Sequence, residues 1–105
     1  MLEPHSDCPL TPCIKLLAGA WTLEIIYYLR ESALRFGDLR RALGEVSSKV
    51  LTTRLRELEA KKVITRTELP TNPVSVEYSL DAIGYELLPV IDTLSKVSLV
   101  IRDKY

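Results

Sequence analysis

The sequence predicts a mostly α-helical domain that carries one small β-hairpin, and three observations point there. Leu51, Leu55 and Leu58 recur at i, i+4 and i+7, the period of a helix with one apolar side. The runs Lys62–Leu69 and Val76–Leu80 alternate apolar with polar residues, are rich in β-branched side chains, and flank PTNPVS, a turn built on Pro70, Asn72 and Pro73. From Asp81 toward Lys104 an apolar stripe (Leu87, Ile91, Leu94, Val97, Val100 and Ile101 among it) is wider than the edge of one small domain needs. The 105 residues suit one domain, divided here into an arm 1–12, a core 13–80 and a C-terminal helix 81–105 assigned to dimerisation.

Taken in order, the arm is polar and proline-rich, and Pro12 suits the first turn of a helix because its missing N–H costs nothing there. A short apolar helix follows, with Ile14, Leu16 and Leu17, punctuated by Gly19. Trp21–Leu29 is apolar nearly all round, the pattern of a central helix touched from several sides. Leu34, Arg35 and Phe36 form a candidate short strand. In FGDLRRAL the residues Leu39, Ala42 and Leu43 share one helical face, and Gly44 is the expected C-terminal cap.

Ser47 is the expected N-cap of the helix Ser47–Lys61. At about 100° per residue its three leucines cluster on one side, leaving Lys49, Thr53 and Arg56 opposite, flanked by Ser48 and Thr52. The hairpin then has a tip of six residues, 70–75. Asp81 caps the last helix, which Pro89 should kink.

Charge is segregated. The formal net charge is +0, yet Arg35–Arg66 holds nine basic residues against four acidic ones, and the remainder carries the matching acidic excess. A basic middle between acidic ends maps a local site for an anionic partner. Glu3, Pro4, His5 and Asp7 stand where a secretory leader would need an apolar run, and no apolar stretch reaches membrane-spanning length. Two cysteines are too few for a disulfide scaffold. The expected setting is cytoplasmic, without a membrane partner and with thiols reduced. No nucleophile–base pair, P-loop or glycine-rich phosphate cradle is present, so an enzyme is not expected, nor a cofactor.

Three helices, a hairpin and a long helix is the order of a winged helix-turn-helix, whose second helix enters the major groove of DNA with its N-terminal residues first. The first helix of the pair is then Phe36–Leu43, the recognition helix Ser47–Lys61 and the wing the hairpin tip. Candidate DNA contacts are Ser47, Ser48, Lys49, Thr52, Thr53 and Arg56 on the recognition helix, Arg66 and Asn72 on the wing, and Arg35, Arg40 and Arg41 before them. Arg54 lies off this stripe and is expected to pack its stem on the domain.

The runs CPL (8–10), LLAGAWTLEIIYYL (16–29), LRFGDLRRAL (34–43), VSSKVLTTRLRELEAKKVITR (46–66) and VEYSLDAIGYELLPVID (76–92) resemble the HxlR family of bacterial and archaeal winged-helix transcriptional regulators. The resemblance spans Cys8 to about Val97. It implies a homodimer, joined through its N-terminal and terminal helices, that binds a dyad-symmetric double-stranded DNA operator. It also implies that Cys8 stands at the position some members use to sense oxidants or electrophiles, with Cys13 as a further candidate. Two departures stand out. Gly19-Ala20-Trp21 lacks the lysine that is common before the tryptophan, and Pro73-Val74-Ser75 lacks the basic residue common in the wing. Both predict a shallower salt dependence of DNA binding.

Plainer readings stand beside these. An outward polar stripe on a helix is commonly just solvated, and a free cysteine is commonly a small buried hydrophobe. His5, Asp7, Cys8 and Cys13 hold ligand-type atoms but no metal-knuckle spacing, and no metal is expected. Tyr27, Tyr28 and Tyr85 are either core and interface residues or the lining of an effector pocket. Two rival functions follow: a protein-interaction winged helix that does not bind DNA, and a regulator answering to a small molecule held between Trp21, Tyr27 and the last helix.

Overall fold

The structure, a computed structural model, describes residues 8–105. The arm before Cys8, with His5 and Asp7, lies outside the described residues. Helices α1 (Thr11–Leu17) and α2 (Thr22–Leu29) lead through a short strand β1 (Leu34–Arg35) into α3 (Phe36–Leu43) and α4 (Ser48–Ala60). Strands β2 (Ile64–Leu69) and β3 (Ser75–Leu80) and helices α5 (Ala82–Glu86) and α6 (Leu88–Lys104) complete the chain. This is a mostly helical winged helix-turn-helix with a three-stranded antiparallel sheet in the order β1-β3-β2.

The core is the inward side of each element. Ile25, Ile26 and Leu29 of α2 meet Leu39 and Leu43 of α3, Leu51, Leu55 and Leu58 of α4, and Val63, Ile64, Tyr78 and Leu80 around the sheet, all buried. The three leucines of α4 are at most 2% exposed, as their spacing requires. Pro12 occupies the first turn of α1, and Gly44 ends α3 at φ +90°, where a side chain would be strained. Ser47 Oγ accepts from the Val50 N–H at 3.1 Å and so caps α4.

Several boundaries differ from the sequence expectation, each for a physical reason. Lys62 does not open a strand: it sits at φ 64° just past α4, its N–H bonding to the Glu59 carbonyl while the Val63 N–H bonds to that of Leu58. That pair of bonds is a Schellman cap, with Leu58 and Val63 both buried beside it. Ser75 pairs with Leu69, so β3 starts one residue early and the tip is 70–74. Phe36 belongs to α3. β1 pairs Leu34 with Tyr78 and Arg35 with Glu77, which makes the hairpin a three-stranded sheet.

The last helix is two helices. The break falls at Leu87, and Pro89 lies in the first turn of α6, so it starts a helix instead of kinking one. Asp81 caps α5 by accepting from the Ala82 N–H at 2.7 Å. Of the 17 residues of α6 only Ile91 is buried, while Leu94, Val97, Leu99, Val100 and Ile101 are 42–60% exposed. The radius of gyration is 15.5 Å, against about 13 Å for a compact domain of this length. α6 therefore projects from the domain and does not close over its own core.

Candidate nucleic-acid interface

Helix α4 presents two unlike sides. Opposite the buried leucines, Ser48, Lys49, Thr53 and Arg56 are exposed and Thr52 is half-buried. The free backbone N–H groups of the first turn and the helix dipole add positive potential at the same end. Thr53 Oγ1 donates to the Lys49 carbonyl at 3.0 Å, so its proton is engaged and its oxygen is left to accept. Ser47 Oγ is engaged by the cap, which leaves its hydroxyl hydrogen to donate outward.

The wing comes against the far half of this face. Thr52, Arg56 and Glu59 of α4, with Arg66 of β2 and Tyr78 of β3, line one cleft of about 290 Å³. Arg66 stands opposite Tyr78 in the strand register and pairs with Glu68 at 3.4 Å. The Glu68 carboxylate, and after it Tyr78, push the Arg66 guanidinium above its already high ordinary pKa, so its charge is permanent. Glu59 and Tyr78 are lining residues that sequence reasoning missed. Glu59 had a signal, since it follows Arg56 by three on one helix, but Tyr78 reaches the cleft only through strand pairing.

The remaining expected contacts fall into different settings. Arg35 and Asn72 are exposed, the first ahead of α3 and the second at the tip of the wing, where the Asn72–Pro73 peptide is cis. Thr71 shapes that tip: its Oγ1 donates to the Pro73 carbonyl at 2.8 Å and accepts from the Ser75 N–H at 3.1 Å. Arg41 is exposed and paired with Asp38. Arg40 is tied inward, its Nε donating to the Val46 carbonyl at 3.0 Å. Arg54 packs against Gly19 and pairs with Glu57 at 2.6 Å, in line with its place off the outward stripe.

Helices α2 and α6 flank an open groove of about 420 Å³ that includes Leu23, Tyr27, Tyr28, Leu94 and Arg102. Trp21, expected in such a pocket, does not line it. It packs on the edge of the core, at φ 69° just before α2. Tyr85 is exposed on α5 and does not line the groove either. The Arg30 guanidinium, which does not line the groove, lies 3.9 Å over the Tyr27 ring. Cys8 and Cys13 are both exposed free thiols, Cys13 within α1 and Cys8 three residues ahead of it. Among the described residues no three metal-ligating side chains come together, and no helix is long and apolar enough to cross a membrane.

A helix pair whose second member exposes a cationic, hydroxyl-bearing side next to a β-wing defines a helix-turn-helix regulator of transcription. The sequence model of the HxlR-like helix-turn-helix family matches residues 16–103, and the chain belongs to that family. It is 37% identical over 91 residues to YdzF of Bacillus subtilis strain 168, an uncharacterized HTH-type transcriptional regulator. That alignment takes in 86% of this chain and 84% of the relative. The transcriptional regulator YodB of B. subtilis, in its reduced form, superposes with a TM-score of 0.74 at 32% identity, covering 85% of this chain and 88% of that one. The redox regulator HypR in its oxidized form gives 0.83 at 29% identity, covering 89% and 96%. Transcriptional regulators of this family are not enzymes.

Proposed function

We propose that the chain works as a homodimer on a dyad-symmetric DNA operator. Each protomer lays the first half of α4 in a major groove, with Ser48, Lys49, Thr52, Thr53 and Arg56 toward base edges and phosphates. Arg66, Asn72, Arg35, Arg41 and the Ser47 hydroxyl contact the backbone beside it. The observation that carries this reading is the convergence of Arg56 and Arg66, from helix and wing, on one cleft beside an exposed polar helix face. The projecting apolar side of α6 supplies the dimer contact. Each of its aliphatic side chains is already about half covered, so covering the rest contributes roughly 1 kcal/mol apiece, and a patch this large is seldom left in water.

A thiol switch at Cys8, with Cys13 as its second site, is supported by the exposure of both thiols and by the likeness to HypR and YodB. Oxidants or small electrophiles are the effectors this chemistry accepts. The α2–α6 groove favours a second reading, a regulator that answers to a small apolar ligand there.

The test is a fluorescence-anisotropy titration of reduced and mildly oxidised protein. It uses the duplex upstream of the protein's own gene and a scrambled control. Selective, salt-sensitive binding by the reduced form that oxidation abolishes supports operator and switch together. Selective binding indifferent to oxidation keeps the operator and turns attention to the groove. Absence of selective binding to any duplex in a genome-wide selection overturns the DNA reading and leaves an interaction module.

A further inference from the structure

The α1–α2 turn and the recognition helix meet at one atom-tight contact, between Gly19 and Arg54. A β-carbon at Gly19 would stand 2.5 Å from Arg54 Nη1, 2.9 Å from its Cζ and 3.2 Å from Thr22 Oγ1. The guanidinium therefore occupies the space a side chain would take, and glycine is what admits it. Arg54 is not a loose surface cation. Its side chain is 23% exposed, Nη1 is fixed by Glu57 one turn on, and Nε is buried without a hydrogen-bond partner among the described residues. Thr22 Oγ1, on the other side of the same glycine, is buried and equally unpartnered. Burying two polar atoms unpaired is costly, and the place is geometrically forced in a second way: Trp21, between Gly19 and α2, holds φ 69°, which a bulky side chain rarely adopts.

The geometry points to Arg54 as a positioning residue for DNA reading, resting on the operator function proposed above. It sits in the middle of α4, between the outward Thr53 and the inward Leu55, and reaches back to the turn that ends α1. Helix α1 carries Cys13 and starts three residues after Cys8. The Gly19–Arg54 contact is thus a direct mechanical link from the cysteine-bearing segment to the recognition helix, through which a displacement of α1 changes how α4 is held. Arg54 itself does not touch DNA: its charge is spent on Glu57 and its stem is inside.

The experiment compares the full-length protein with Gly19→Ala, Arg54→Met and the double variant. Methionine keeps the stem and removes the guanidinium. The obstructed atom ends a flexible side chain, so Gly19→Ala displaces Arg54 without unfolding the domain. Two readouts are taken: amide hydrogen exchange along α4, and affinity for a selectively bound duplex across a salt series. Gly19→Ala is expected to speed exchange in α4 and to weaken selective binding by about threefold to tenfold, with the slope of affinity against salt unchanged. In the Arg54→Met background Gly19→Ala should add far less to either effect, because only the milder 3.2 Å approach to Thr22 Oγ1 remains. Equal effects of Gly19→Ala in both backgrounds overturn the link. A salt slope lowered by about one in Arg54→Met makes Arg54 a phosphate ligand and overturns its positioning role. If the parent binds no duplex selectively, the operator reading fails on its own, and the exchange cycle alone decides whether the link exists.

Discussion

Arg40 Nε donates a 3.0 Å hydrogen bond to the Val46 carbonyl oxygen, so a side chain of α3 holds the turn from which α4 starts. Arg40→Ala should cost about 0.5–1.5 kcal/mol of stability and speed amide exchange from Ser47 to Leu51. Chemical denaturation with exchange mass spectrometry measures both. Unchanged stability together with a shallower salt slope of DNA binding would make Arg40 a phosphate ligand and nothing more.

Arg56 and Arg66 line one cleft, so their contributions to DNA affinity should not add. Arg56→Ala is expected to weaken selective binding by about 1–3 kcal/mol, while Lys104→Ala, an exposed cation at the far end of α6, changes little. In a double-mutant cycle Arg66→Ala should cost less once Arg56 is gone. Strict additivity would mean that helix and wing meet separate phosphates.

Gly84 is pressed against the sheet side of the domain: a β-carbon there would overlap the Val63 carbonyl oxygen and crowd the Leu80 side chain. Backbone cannot swing aside as Arg54 can, so Gly84→Ala should destabilise by about 1–3 kcal/mol. Gly44 has open space around it but φ +90°, and Gly44→Ala should cost about 1 kcal/mol through backbone strain alone. Thermal melts of the two variants rank these effects.

Asp81 links α5 to the end of α4. The Ala82 N–H, then the Thr65 hydroxyl and the Lys62 charge, hold its carboxyl below the ordinary value. The folded pKa is depressed, so this contribution is complete above the ordinary carboxylate pKa and fades as pH falls through the lower folded value. Asp81→Asn should therefore narrow its gap to the parent as pH is lowered from about 6 to about 2, read as melting temperature against pH. A constant gap would show that the carboxylate charge is irrelevant to the cap.

The thiol reading makes a separate demand. Mild oxidant should modify Cys8 and shift operator affinity of the parent, and Cys8→Ser should abolish that response. A Cys8→Ser protein that still answers to oxidant moves the switch to Cys13, and the Cys8→Ser/Cys13→Ser pair decides whether any thiol is involved.

What was legible in the sequence is what neighbours along the chain decide. Ser47 as cap, Gly44 as terminator and the leucines of α4 are local signals, and the outward stripe followed from them. The contacts that sequence reasoning missed join different elements, most of them far apart in the chain. Tyr78 reaches the cleft by pairing across β2, β1 joins the sheet through the same strand, Arg40 turns to Val46, and Arg54 fills the space above Gly19. A basic side chain looks the same in a sequence whether it faces solvent, a carbonyl or a glycine. The division at Leu87 is a different case: Pro89 marks the place in the sequence, but one proline serves equally to kink a helix or to begin one.

Helix α6 is anchored at its start by buried Ile91 and by Leu88, which packs on the core, and runs for 17 residues in all, a rod of about 26 Å. In a dimer joined along that rod, its length and exit angle set the distance and the rotation between the two recognition helices. The operator's half-site spacing is then written in the C-terminal helix, far from any base. Deleting four residues from α6 would select duplexes with altered spacing but the same half-site sequence, and changing α4 would do the reverse. In such a dimer, ruler and reader would be separate parts of one chain.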